Sequence, residues 1–456
     1  MQWLSELNAS LDGAMLADEA SRMEVSGDFG RVVRRMPQAV VRPASTQDVS
    51  RTLKFAVCRS LAVSTRGAGH SQSGQSLSDG MVLDMKCLNK VLSFDEDSIT
   101  VTCQPGITWR ALLAELAPHQ LSPPVLTNNL DVTVGGTLST AGLGVSSWRH
   151  GAQADHCLEL EVVTGSGEVL RCSPSTHAEL FDAVRGGVGQ FGVITEARLQ
   201  LRRHRPRYRS FYLLYEGLST LLDDLERLIA EERFDYLESW CVPLPMGFKE
   251  VSGRRQAFAQ WFYPLHATVE TDGEPPGAGA KLEGLKFYKH VHTEDGVLQA
   301  FFTRLDPLFA LWKRAGFWDY AHPWMECILP WEATEFYVSQ VLAQMQPQMV
   351  AGGHILLWPA KGEATSLPLF MRPEGKLAMG FGILPAIPSR FLEEALPRLG
   401  EASMAAMMVG GKRYLSGWVD FGKDQWKAHY GKEYSRVKSL KQKYDPAGIL
   451  NLEFLK

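Results

Sequence analysis

Residues Arg66-Gly67-Ala68-Gly69-His70-Ser71-Gln72-Ser73-Gly74-Gln75 bring two kinds of chemistry into one short run. Glycines directly after a strand let the backbone approach a phosphate and aim N–H donors at it. A histidine among them adds an imidazole that can act as nucleophile, proton carrier or hydrogen-bond partner. The spacing is not the dinucleotide fingerprint: the third glycine comes five residues after the second, and a second strand follows where a helix should open. From the loop alone, an anion cradle and a tight turn with a satisfied histidine are equally good readings. A further chemical cluster is Trp318-Asp-Tyr-Ala-His-Pro-Trp-Met-Glu-Cys-Ile328. If it is a strand, Trp318, Tyr320, His322, Trp324 and Glu326 share one face.

The elements that must position these groups follow from pattern. Ala39–Val41, Leu61–Thr65, Met81–Asp84 and Ile99–Cys103 read as short strands. Ser45 and Asp48 open a helix with Val49, Leu53 and Ala56 on one face, and Thr108 caps another carrying Trp109, Leu112, Leu113 and Leu116. Leu158–Thr164 and Glu168–Cys172 form a hairpin across Gly165-Ser166-Gly167. The cluster Gly186-Gly187-Val188-Gly189-Gln190-Phe191-Gly192 opens into a strand over 193–201. After about 205 the texture changes, with an amphipathic helix over 218–229 and aromatic-rich strands around 236–242, 257–263 and 318–329. One closing helix carries Trp426, Tyr430, Tyr434, Val437 and Leu440 and stops at Asp445-Pro446.

Composition bounds the class. The 456 residues, 45% hydrophobic and 21% charged, exclude a disordered, collagen-like or coiled-coil chain. Lys plus Arg at 47 against Asp plus Glu at 51 predicts no nucleic-acid or anionic-membrane partner. No apolar run approaches the ~18 residues of a membrane helix. The acid-bearing start predicts no signal peptide. Seven cysteines without a CxxC pair predict neither a metal site nor a disulfide framework, so the expectation is a reduced, cytoplasmic enzyme. Seven of the 12 tryptophans lie between 240 and 358, concentrating aromatic surface in one stretch.

Eight ordered segments carry a resemblance. They are Val41–Val49, Arg66–Ser71 with Gly74-Gln75, Thr133-Val-Gly-Gly-Thr-Leu-Ser-Thr-Ala-Gly142, Arg149-His-Gly151, Leu180–Val184, Gly186–Thr195, His322-Pro-Trp324 and Lys443–Pro446. Their order resembles flavoproteins of the vanillyl-alcohol oxidase type with a PCMH-type FAD domain, and among these most closely the cytokinin dehydrogenases. The resemblance implies an α+β fold: a two-subdomain FAD-binding domain over 1–204 and 412–456, and an inserted substrate domain over 205–411 with an antiparallel sheet flanked by helices. It implies that Thr65, Gly67, Ala68, Gly69 and Ser71 cradle FAD, with Gln75 in support, and that His70 joins the flavin 8α-methyl group covalently. No cysteine in Leu126–Asp131 offers a second link. Thr133, Ser139, Leu143 and Ile194 match cofactor contacts; Tyr414 and Asn451 match residues that close over the flavin. Asn451 and Phe454 stand where the family has Ser and Gln.

The catalytic positions depart from the family pattern. Its aspartate, five residues before the threonine of Thr-Val-Gly-Gly, falls on Asn128, which cannot take a proton near neutral pH. Trp324 matches the substrate-sandwiching tryptophan, and Glu326 stands where an asparagine is usual. The expectation is that a carboxylate has moved from 128 to 326, where it pairs with a cationic substrate or acts as base; a solvated rim glutamate is the alternative. Glu283 matches a further substrate contact. These residues predict an FAD-dependent oxidase or dehydrogenase. It would take a hydride from a small aromatic or hydrophobic amine and return electrons to oxygen or another acceptor. The alternatives are an alcohol or sugar oxidase and a flavin-binding protein without turnover.

Overall fold

The computed structural model describes residues 2–345, 350, 352–362 and 366–451. Three principal sheets organise the chain. The first has four strands in the order Ala14–Leu16, Ala39–Arg42, Met81–Asp84, Val63–Arg66, the last three parallel. The crossover helix Thr46–Arg59 starts where Ser45 accepts the Asp48 N–H and buries Val49, Leu53 and Ala56. The chain returns to this sheet at its far end: Val63 donates to Ile449 O (2.8 Å), and Asn451 N–H donates to Val63 O (3.0 Å). The second sheet is five-stranded and antiparallel, in the order Val91–Asp95, Thr100–Cys103, Val193–Gln200, Cys157–Val163, Val169–Cys172.

The third sheet has eight antiparallel strands, running Lys289–Val297, Arg207–Tyr215, Arg254–Thr271, Tyr236–Val251, His354–Lys361, Leu377–Leu384, Met325–Pro330, Lys412–Arg413. The two-residue period of a strand divides its residues between its faces. Met325, Cys327, Leu329, Ile355, Leu357, Met379, Phe381 and Ile383 pack against helices Leu218–Ala230, Thr334–Gln344 and Leu392–Met408. Glu326, His354, Leu356, Trp358 and Leu384 have the opposite parity and line a cleft. Gly380 and Gly382 share this parity. A Cβ at Gly380 would lie 2.0 Å from Trp358 Cε2, so the glycine lets the indole lie across the sheet. Gly380→Ala is expected to lower stability by about 1–3 kcal/mol, because the indole cannot keep its place. Urea-unfolding midpoints check this.

Three expected elements differ. The segment 318–324 is not a strand. Phe317–Asp319 is a 3-10 turn, Ala321 makes an isolated bridge to Ile387, and the ladder begins at Met325, because Pro323 has no N–H for it. The closing helix is two helices, Lys423–Tyr430 and Tyr434–Tyr444, separated at Gly431, where φ is +51°. Lys412–Arg413, assigned from sequence to the first domain, instead pairs with Cys327 and Ile328 at the edge of the inserted sheet.

Candidate functional site

The cleft holds about 1720 Å³ of space, its open mouth included, between the glycine loops and the inserted sheet. Thr65, Gly67, Ala68, Gly69, His70, Ser71, Gln75, Thr133, Ser139, Leu143, Ile194, Tyr414 and Asn451 all line it, as do Asn128, Trp324 and Glu326.

The loop after strand Val63–Arg66 is shaped for close approach. Gly69 has φ +68°, and a Cβ there would lie 2.4 Å from the Arg66 guanidinium; a Cβ at Gly67 would strike Thr133 Oγ1. The N–H groups of Ala68, Gly69 and His70 donate to no protein acceptor among the described residues. Free N–H groups beside the half-buried Arg66 suit a pyrophosphate. The loop is clamped from behind. Asp28 accepts the Gly74 N–H (2.7 Å) and the Ser71 hydroxyl (3.1 Å), and Phe29 N–H donates to Gly69 O (2.8 Å). Burial raises the Asp28 carboxyl to about 6, with the Gly74 N–H opposing.

His70 is half-buried. Its ring packs 4.1 Å from Phe29 and 5.5 Å edge-on to Trp324. Burial, and next His322, push its pKa down to about 3, so the imidazole is neutral, with its Nε2 3.5 Å from the Asn129 Nδ2.

The other contacts expected at the cofactor end divide between wall and support. Leu143 and Ile194 are buried apolar wall. The Tyr414 hydroxyl accepts the Leu143 N–H at 3.3 Å. Gln75 spans to the carbonyls of Leu415 and Gly417, both at 3.0 Å, tying the loop to the segment after Arg413. Asn451 accepts from Ser64 Oγ (2.8 Å) and donates to Val188 O (2.7 Å), so its amide holds the walls together. Phe454 lies outside the described residues.

At the substrate end the structure adds residues that sequence reasoning missed. Asn128 Nδ2 donates to Glu238 Oε1 at 2.7 Å, while Arg304 Nη2 donates to Asn128 Oδ1 at 2.6 Å and to Glu238 Oε2 at 3.2 Å. Glu238 is 3% exposed and lines the cleft. Burial alone would raise its pKa; Arg304, His266 and Asn128 outweigh burial and hold the carboxyl below its ordinary range. A carboxylate therefore stands beside position 128, supplied by strand Tyr236–Val251. Its signal was a glutamate alternating with Tyr236 and Trp240 in an aromatic strand. Glu326 is half-buried on the sheet face, and its Oε2 accepts from Ser416 Oγ at 3.4 Å. Burial raises it to about 7, with Arg413 and Ser416 partly offsetting. The indole N–H groups of Trp324 and Trp358 are buried without an acceptor among the described residues. His354, neutral because burial lowers it to about 4, completes the wall with Leu305 and Phe309.

Glu283 is a correction. It is exposed, outside the cleft, and its carbonyl accepts from Arg233 at 2.8 Å; the helix Ala278–Leu282 that precedes it packs on the far side of the sheet through Leu282. Among the described residues no helix is long and apolar enough to cross a membrane.

Comparison with known proteins agrees with this geometry. Residues 37–173 match an FAD binding domain, and 278–452 match the family described as cytokinin dehydrogenase 1, FAD and cytokinin binding. An uncharacterized oxidoreductase of the fasciation locus of Rhodococcoides fascians is 31% identical over 96% of this chain and 98% of its own length. Cytokinin dehydrogenase 4 of Oryza sativa subsp. japonica is 31% identical, covering 96% of this chain and 89% of its own. Cytokinin dehydrogenase 1 of Arabidopsis thaliana is 29% identical, covering 98% and 83%.

Proposed function

Because the chain belongs to the cytokinin dehydrogenase family of FAD-dependent oxidoreductases, we propose that it oxidises a small aromatic or hydrophobic molecule in the chamber between Trp324 and the inserted sheet, with FAD tethered to His70. The observation that carries this reading is the continuity of the cleft. It joins the glycine loop and His70 to a chamber holding Trp324, Trp358, Glu238 and Glu326. FAD, when bound, supplies acceptance of a hydride, and oxygen or another acceptor takes the electrons onward.

The chain's own residues bind, orient and move protons. The loop N–H groups and Arg66 hold the pyrophosphate. The neutral His70 ring, fixed by Phe29, presents a nucleophilic nitrogen. Trp324 and Trp358 press on a planar substrate. The two carboxyl groups have different tasks: Glu238 is locked ionised by Arg304, while Glu326 titrates near neutrality and can exchange a proton with substrate.

The experiment is direct. Purified protein should be yellow, its flavin should survive acid precipitation, and anaerobic addition of a donor should bleach it, with recovery in air. Colourless protein defeats the reading. Flavin that no aromatic or allylic donor bleaches would identify a binding protein without turnover.

A further inference from the structure

The strands Tyr236–Val251 and Arg254–Thr271 run on past the sheet that holds them. Strand His354–Lys361 pairs with the first only at Ser239–Cys241, and strand Arg207–Tyr215 pairs with the second only from Tyr263 onward. From Val242 to Val251 and from Arg254 to Phe262 the two strands pair with each other alone, as a ribbon closed at Ser252-Gly253. Val242, Leu244, Met246, Phe248 and Val251 are all exposed on it, Phe248 at 68%. The register shift at Met246 decides where they point. Val242 and Leu244 keep the parity of Glu238, on the cleft side. Phe248 lies opposite Ala257, which shares the parity of Ala259, Trp261 and Tyr263, so the shift turns Phe248 to the side that packs on helices.

On that side the ribbon has a tip and a root that match. At the tip, Arg255 lies beyond Phe248, with Lys249 and Arg254 outnumbering Glu250 around it. At the root, burial, Cys241 and Glu335, in that order, raise the Tyr263 hydroxyl, which sets Glu335 near the ribbon's base. Phe336, its neighbour in helix Thr334–Gln344, is 64% exposed. Tip and root thus each join an exposed phenylalanine to a charge, and the charges are of opposite sign. They cannot meet within one chain, because the strand from Arg255 to Tyr263, at ~3.4 Å per residue, holds them ~27 Å apart.

We propose that the helix side of this ribbon docks a second copy of the chain. The two ribbons lie antiparallel about a two-fold axis, so that Phe248 and Arg255 of each tip meet Phe336 and Glu335 of the other copy. The inference is independent of the proposed chemistry. A two-fold contact joins residue i to j and j to i, which is the relation that tip and root have. A ribbon face ~27 Å long and ~10 Å wide, with a root strip of like size, offers ~500 Å² per copy and ~1,000 Å² in all. That is the lower limit for a specific interface, so the dimer is a reversible one. A bilayer fits less well: entry by the tip would carry Lys249, Glu250, Arg254 and Arg255 into hydrocarbon. Strand addition at the edge left open beyond Cys241 is opposed by Pro243 and Pro245, which have no N–H to offer.

Sedimentation of the full-length chain as purified, across a range of about 1 to 100 μM that brackets micromolar association, is the test. The 50.7 kDa chain should pass reversibly into a dimer as concentration rises. Phe248→Asp sets a charge against an apolar ring and should weaken association at least about tenfold. Arg255→Glu and Glu335→Arg should each weaken it, and the two together should restore it, because the pair re-forms with its signs exchanged. Flavin content and unfolding midpoints should not change, since these residues lie outside the cleft on exposed positions. A chain that stays monomeric across the range overturns the inference. So does a dimer that Phe248→Asp leaves intact, or a double exchange that restores nothing. Monomers that co-sediment with phosphatidylglycerol vesicles through Phe248 would assign the ribbon to a membrane and equally overturn it.

Discussion

Replacing His70 with alanine is expected to turn a protein whose flavin stays with the acid precipitate into one that gives up all of it to the supernatant. The imidazole is the nucleophile that geometry and electrostatics favour: neutral because burial pushes it to about 3, packed 4.1 Å from the tilted Phe29 ring, and within the loop that faces the cofactor end of the cleft. Binding itself rests on backbone N–H groups, which the substitution leaves in place. His70→Ala should therefore still be isolated with some FAD, released by acid, while the unaltered protein keeps its yellow colour through denaturation. Fluorescence of the denatured band under ultraviolet light separates the outcomes. A fluorescent His70→Ala band would place the tether elsewhere. Phe29→Ala provides a graded companion: it leaves the nucleophile and removes the ring that fixes it, so the acid-stable fraction should fall without vanishing.

The cofactor end was legible because its chemistry is local in sequence. A strand, glycines at close spacing and a histidine are contiguous, and Thr133, Ser139, Tyr414 and Asn451 sit in segments with equally fixed spacing, all of which reach the cleft. The substrate end was only half legible. Asn128 and Glu238 are 110 residues apart, and nothing in either segment announces the other; the pair exists because the loop before Thr133 folds over strand Tyr236–Val251. Arg304 reaches the same amide from a third element, 176 residues away. Glu283 fails for the converse reason: its surroundings have little fixed spacing, and placing it by position alone put a surface residue in the site. The strand expected over 318–329 rests on true alternation, yet Pro323 and the Phe317–Asp319 turn override it. Trp324 and Glu326 still face the cleft, Glu326 through sheet parity and Trp324 from the segment leading into the strand. The expected transfer of a carboxylate from 128 to 326 needs a wider statement. Two carboxyl groups line the chamber, one paired to Arg304 and one not, and only the second is free to titrate near neutrality.

That difference makes Glu326→Gln the sharpest test of the chemistry, because its effects on stability and on rate have opposite signs. Burial raises the Glu326 carboxyl from 4.5 to about 7. Between those values the folded chain holds a proton that the unfolded chain has lost. Stability therefore falls as pH rises from about 4.5 to about 7, and is level above. At 1.36 kcal/mol per pH unit, and allowing for the side chain's partial exposure, the loss is about 2 kcal/mol. Glutamine stays neutral throughout. The variant should match the unaltered protein near pH ~4 and exceed it by about 2 kcal/mol near pH ~8, as read from urea midpoints. Its rate of anaerobic bleaching should move the other way. A carboxylate that accepts the substrate proton gives a rate that climbs as pH passes through about 7. Removing it should cost about 10²–10⁴-fold and flatten that climb. A residue that merely packs would shift the midpoints and leave the pH–rate profile alone. An unaltered bleaching rate in Glu326→Gln would therefore exclude Glu326 as the proton acceptor while leaving the stability argument intact.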